Sequence, residues 1–96
     1  MKIYVDIDNT ICTQETDDYG YAKPWPKNIL KINKLYDEGN EITYYTARGS
    51  LTGIDWYDTT KKQLKEWGCK YHELSVGEKP FYDLLICDRT KRIEEI

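Results

Sequence analysis

The chain has no CxxC pair, only three cysteines and one histidine, and no apolar run approaching the length of a membrane span. Isolated thiols in odd number, Cys12, Cys69 and Cys87, argue against a disulfide framework or a zinc site and leave reduced, structural cysteines. A basic excess is missing too: 14 Lys and Arg stand against 17 Asp and Glu, a formal net charge of -3. A protein that grips a phosphate backbone needs the opposite balance, so nucleic acid is not expected as a partner. Met1 runs straight into Lys2-Ile3-Tyr4-Val5-Asp6 without an apolar signal segment, so the expectation is a cytoplasmic protein with no membrane association. Internal repeats and low-complexity tracts are also lacking.

What is present suits one small domain spanning residues 1–96. At this length a core is limited, and the 40% hydrophobic content is rich in Tyr and Trp, whose large side chains supplement it. Residues 2–7 are short, β-branched and apolar, as in a strand buried on both faces. The polar and aromatic stretch from Cys12 to Lys27 reads as an excursion or small hairpin leading to a helix. That helix is expected near 26–38, with Pro26 in its first turn, Ile29, Ile32, Leu35 and Tyr36 on one face, and Gly39 as its stop. Residues 41–46 form a second strand, and a second helix near 55–67 aligns Trp56, Thr60, Leu64 and Trp67 before Gly68. A third strand is expected near 69–74, a fourth over 82–87 and a short terminal helix from Arg89 to Ile96. The alternation predicts an α/β fold with an open parallel sheet, whose ligands bind beyond the carboxyl ends of the strands.

The polar residues of interest fall at those ends. Asp6 and Asp8 follow the first strand, Thr46 ends the second and Asp88 follows the fourth. Two carboxylates one residue apart repel unless a proton or cation intervenes, and a hard divalent cation solves this with oxygen ligands. Mg²⁺ held by Asp6, Asp8 and Asp88 is the expected cofactor. A carboxylate can attack phosphorus to give an aspartyl-phosphate, splitting ester hydrolysis into two displacements that each need a general acid or base. Asp6 is placed to attack and Asp8 to exchange the proton. The Thr46 hydroxyl, the Lys79 ammonium and nearby backbone N–H groups would steady the phosphoryl oxygens.

Asp6-Ile7-Asp8-Asn9-Thr10, then Thr46, then Lys79 in Gly77-Glu78-Lys79-Pro80, then Asp88, resemble in order the four motifs of the haloacid dehalogenase superfamily. The resemblance covers nearly the whole chain. It implies a reduced Rossmann-like, three-layer fold with about four strands in the order 3-2-1-4 and a minimal cap, and a Mg²⁺-dependent phosphomonoesterase as the activity. Such relatives often carry a pair of acids at the fourth motif, whereas here Cys87 precedes Asp88, so weaker metal binding is expected. The Lys-Pro-x-x-Asp spacing of Lys79 to Asp83 also resembles small uncapped members found near bacterial surface-polysaccharide genes, which implies a small phosphorylated substrate, a sugar phosphate by class. A missing cap leaves room for a homo-oligomer in which a neighbouring subunit covers the site.

Around this set, Asn9 and Thr10 are either substrate ligands, chiefly through their backbone N–H groups, or residues that simply shape the loop after the strand. Arg48 is a third candidate, able to grip a phosphate or a substrate carboxylate, or equally a solvated loop arginine. Tyr19, Tyr21, Trp25, Trp56 and Tyr57 form either an aromatic wall for a substrate or local packing. His72 lies away from every motif and is not counted as catalytic. Two rival readings remain: a low-turnover phosphate-sensing or protein-interaction module, and a receiver-type signalling domain. The latter needs its phospho-acceptor on a middle strand, where this chain offers none.

Overall fold

The computed structural model describes residues 1–13, 19–49 and 53–77, together with the backbone of 84–86. Lys79, Asp83, Cys87, Asp88 and the terminal segment from Arg89 to Ile96 lie outside the described residues. The elements are β1 (Lys2–Asp6), a 3-10 turn (Tyr19–Tyr21), α1 (Pro26–Asp37), β2 (Glu41–Thr46), α2 (Tyr57–Glu66), β3 (Glu73–Val76) and β4 (Leu84–Ile86). The strands form one sheet in the order β3-β2-β1-β4, and every pairing is parallel. The fold is a small α/β domain of the Rossmann-like class.

Side-chain alternation sets the sheet. Ile3, Val5 and Ile7 are buried, while Tyr4 and Asp6 between them are only half-buried. The register places Ile3 beside Ile42 and Val5 beside Tyr44. In β2 the consecutive residues Ile42, Thr43 and Tyr44 are all buried, so both faces of this inner strand are covered, as a parallel sheet requires. α1 begins at Pro26, sends Ile29 and Ile32 into the same core and ends before Gly39, whose φ of 96° supplies the left-handed turn. α2 contributes Leu64 to that core, together with the buried polar side chains of Thr60 and Gln63.

The third strand starts later than expected, at Glu73 rather than near 69. The reason lies in where the preceding backbone donors go. The Cys69 N–H donates to the Leu64 carbonyl at 3.0 Å, closing α2, and the Lys70 N–H donates to the Asn33 side chain of α1 at 2.8 Å. Only at His72, whose N–H reaches the Ile42 carbonyl at 2.8 Å, is the chain released to the sheet. His72 also accepts the Ile42 N–H on Nδ1 at 3.1 Å and stacks on Tyr36, so it serves the seam between β2 and α1. The two described ends of the excursion after β1 pair with each other: Cys12 bridges Pro24 in antiparallel fashion, and the Thr13 N–H donates to the Lys23 carbonyl at 2.9 Å. Among the described residues no helix is long and apolar enough to cross a membrane.

Two outcomes follow from this core. Ile42 is fully buried, and Ile42→Ala should cost about 2–5 kcal/mol in urea unfolding, as removal of a large aliphatic side chain from a close-packed interior does. Burial also pushes the Cys69 thiol from its ordinary 9.0 up to about 11, with neighbouring Tyr44 acting in the opposite direction. The folded chain therefore holds that proton more tightly than the unfolded one. Its contribution is complete below pH 9 and is lost as the pH rises toward 11. The urea midpoint should fall over that interval, and Cys69→Ala should make the fall shallower. Part will persist, because burial raises the Cys12, Tyr44 and Tyr71 groups in the same direction.

Candidate active site

β1 delivers Asp6 to its carboxyl end and then turns sharply. The Asp6 carboxylate accepts the Ile7 N–H at 2.8 Å. The N–H groups of Thr10 and Ile11 both donate to the Ile7 carbonyl, at 3.2 and 3.0 Å, and the Asn9 N–H donates to the Cys12 carbonyl at 2.8 Å. Asn9 has φ 61°, a left-handed conformation that asparagine tolerates better than most side chains. The turn brings the Asp8 carboxylate to the end of β2, and the Asn28 side chain of α1 secures it by donating to the Thr10 carbonyl at 3.0 Å.

At the end of β2 the Asp8 carboxylate meets Thr46 and Arg48. The Thr46 hydroxyl donates to Asp8 Oδ2 at 3.2 Å. Arg48 faces Asp8 as a fork, with Nη2 to Oδ1 at 2.8 Å and Nε to Oδ2 at 3.0 Å. The Arg48 side chain is fully buried and that of Asp8 is 10% exposed, so this ion pair is screened from solvent. The remaining guanidinium N–H groups are also used. Nη1 donates to Thr60 Oγ1 at 3.0 Å and to Gln63 Oε1 at 2.6 Å, and Nη2 makes a longer contact of 3.8 Å to Cys12 Sγ. The Tyr19 ring covers the group, its centroid 4.7 Å from the guanidinium carbon, and Trp56 meets Tyr19 edge-on at 5.1 Å.

Cys12 belongs to this cluster as a neutral thiol. Burial pushes it up to about 12, the adjacent Asp8 adds to the rise, and Arg48 opposes it. The thiol is within 3.6 Å of both the Ile7 carbonyl and Asp8 Oδ1, positions to which it can donate. Cys12 and Cys69 are both free.

The structure therefore brings Asp6, Asp8, Thr46 and Arg48 to the carboxyl ends of two adjacent parallel strands. Lys79 and Asp88 lie outside the described residues. Asn9 is exposed beside the turn, while Thr10 is 1% exposed and its hydroxyl has no hydrogen-bond partner among the described residues. Arg48 departs from the substrate-gripping role expected from the sequence, because as placed it has no N–H left over for a substrate oxygen. The Asp8 carboxylate accepts from Arg48 on both oxygens and from Thr46 on Oδ2. Among the described residues no group of three or more His, Cys, Asp or Glu side chains could hold a metal. The hard oxygen of Asp6 at the strand end suits Mg²⁺.

Sequence reasoning placed Thr60 only on a helix stripe and did not single out Gln63. The available signal was two polar side chains beside Leu64 on the inward stripe of α2, where a buried hydroxyl and a buried amide each demand a partner.

No family model matches the chain, and no curated protein sequence matches it. A crystal structure of a structural-genomics target protein from Vibrio cholerae is similar, with a TM-score of 0.78 and 28% sequence identity over 98% of this chain and 85% of that one.

Gly49, directly after Arg48, has φ 82°, and a Cβ there would run into the Ile54 carbonyl oxygen and stand 3.1 Å from Trp56 Cδ1. Gly49→Ala should therefore destabilise the chain by more than about 1 kcal/mol in urea unfolding. A stability equal to that of the parent would contradict this placement of the loop that carries Arg48.

Proposed function

We propose that the protein is a Mg²⁺-dependent phosphomonoesterase of the haloacid dehalogenase type, with Asp6 as nucleophile and Asp8 as general acid and base. The observation that carries the reading is that Asp6, Asp8 and Thr46 meet at the carboxyl ends of neighbouring parallel strands, with Asp8 locked by a buried bidentate pair. A carboxylate held this firmly suits proton transfer at one defined position.

In the first step an Asp6 carboxylate oxygen attacks phosphorus while the ester P–O bond breaks. Asp8 gives its proton to the departing oxygen, which leaves as an alcohol. In the second step Asp8 takes a proton from water, the water oxygen attacks phosphorus, and the bond to Asp6 breaks. Phosphate leaves and the Asp6 carboxylate is restored. Thr46 acts in both steps: rotation of its single O–H from Asp8 Oδ2 to a phosphoryl oxygen adds a donor there and frees a lone pair on Asp8. Lys79 supplies a further cation for the phosphoryl group, whereas the backbone N–H groups of Asn9 and Thr10 are spent on the turn itself, donating to the Cys12 and Ile7 carbonyls.

Mg²⁺ would be held by the carboxylates of Asp6 and Asp88 and by the main-chain carbonyl of Asp8, whose side chain is committed to Arg48. When bound, the cation offsets the negative charge of the phosphoryl oxygens and of the attacking carboxylate. A sugar phosphate is the favoured substrate class. What supports it is the aromatic pair of Tyr19 and Trp56 beside Arg48. A low-turnover phosphate-sensing module is the second reading, favoured by the fact that the Asp8 oxygens are already satisfied.

Wild-type protein should release phosphate from an aryl phosphate only when Mg²⁺ is present, and chelation should stop it. Asp6→Asn should abolish that release and leave the thermal midpoint unchanged. Full activity in this variant would exclude the mechanism, and phosphate binding without turnover of any ester would favour the sensing module.

A further inference from the structure

We infer that Arg48 is a positioning residue that acts through Asp8 and does not contact the substrate, and that Gln63 of α2 is what fixes Arg48. The inference rests on the phosphatase reading and deepens it. An arginine beside a phosphate site ordinarily invites the role of anion ligand, because its planar fork matches two phosphoryl oxygens. Here that fork is already closed on a carboxylate. Nε and Nη2 hold Asp8 Oδ2 and Oδ1 at 3.0 and 2.8 Å. Nη1 uses both of its hydrogens on Thr60 and Gln63, and Nη2 turns its second toward Cys12. All five guanidinium donors thus have protein partners. The side chain is fully buried, so no edge faces a crevice.

Gln63 occupies the pivotal position. Its amide works at both ends: Oε1 accepts from Arg48 Nη1 at 2.6 Å, and Nε2 donates to the Tyr19 carbonyl at 2.6 Å. It therefore ties the 3-10 turn of the excursion to the guanidinium, while the Tyr19 ring lies over that same group. Thr60, one turn earlier on α2, holds the other Nη1 hydrogen. With both in place the guanidinium plane is set from the side opposite Asp8, and the fork transmits that orientation to the carboxylate. Loss of Gln63 leaves the charge pair intact but lets it swing.

The consequence differs from that of losing a phosphate ligand. A phosphate ligand touches every ester alike, whereas a misaligned general acid matters most when the departing oxygen is basic and needs a proton. The experiment measures kcat/KM, which reports the first displacement, for aryl phosphates graded from dinitrophenyl to unsubstituted phenyl. Inorganic phosphate serves as a competitive inhibitor to read binding. Wild type, Gln63→Leu, Thr60→Val and Arg48→Lys are compared, with thermal unfolding of each. Gln63→Leu should lose roughly tenfold or more on phenyl phosphate and less than about threefold on the dinitrophenyl ester, as impaired acid catalysis does. Its phosphate inhibition constant should stay within about threefold of wild type, because uniform binding is intact. Arg48→Lys should show the same slope, steeper. Should that variant not fold, Gln63→Leu and Thr60→Val, which keep the buried pair, decide the matter.

Equal losses across the ester series together with weaker phosphate inhibition would overturn the inference and make Arg48 a substrate ligand. Unchanged kinetics in Gln63→Leu would overturn the role of Gln63. If wild type cleaves no ester and binds no phosphate, the phosphatase reading itself fails, an outcome distinct from an active wild type with flat variants.

Discussion

A guanidinium withdrawn from water must find both a counter-charge and a partner for every N–H, and in this chain that demand organises the end of the sheet. Arg48 is fully buried, so it draws Asp8 from the turn after β1, Thr60 and Gln63 from α2, and the Tyr19 ring from the excursion around a single group. Breaking such a pair from one side costs about 3–5 kcal/mol, because the abandoned charge stays buried. Elements far apart in sequence are therefore held in register by one side chain. The left-handed Asn9 turn brings Asp8 within reach, and Gly49 lets the loop after Arg48 pass close to Ile54.

The same arrangement separates the two acids that the sequence places side by side. Asp6 stays at the end of β1, where its carboxylate accepts the N–H of Ile7. Asp8 is turned away and clamped. A nucleophile needs an approachable oxygen, whereas an acid and base needs a fixed direction, and one residue of spacing followed by a tight turn gives each carboxylate a different environment.

Much of the fold was legible in the sequence because its signals are local. Short apolar, β-rich runs marked β1 and β2, Pro26 and Gly39 bracketed α1, and strand-helix-strand spacing implied parallel pairing, whereas the order β3-β2-β1-β4, which the sheet does adopt, was expected only from the family resemblance. The late start of β3 was not legible, since it depends on Asn33 of α1 and Leu64 of α2 taking the donors of Lys70 and Cys69. The site divides the same way. Asp6, Asp8 and Thr46 could be placed at strand ends from spacing alone. The direction in which Arg48 points could not, because it is decided by Gln63 and Thr60, more than ten residues away on α2, and nothing near Arg48 in the chain distinguishes a buried fork from a solvent-facing one.

The proposed mechanism requires a phosphoryl group to pass through Asp6. Rapid acid quench of wild-type protein turning over a phosphate ester with Mg²⁺, followed by borohydride reduction and peptide mass spectrometry, reads this directly. The prediction is reduction of the acyl phosphate at Asp6 to homoserine, and at no other acid. Turnover with unmodified Asp6, or with the modification at a different carboxylate, would contradict it.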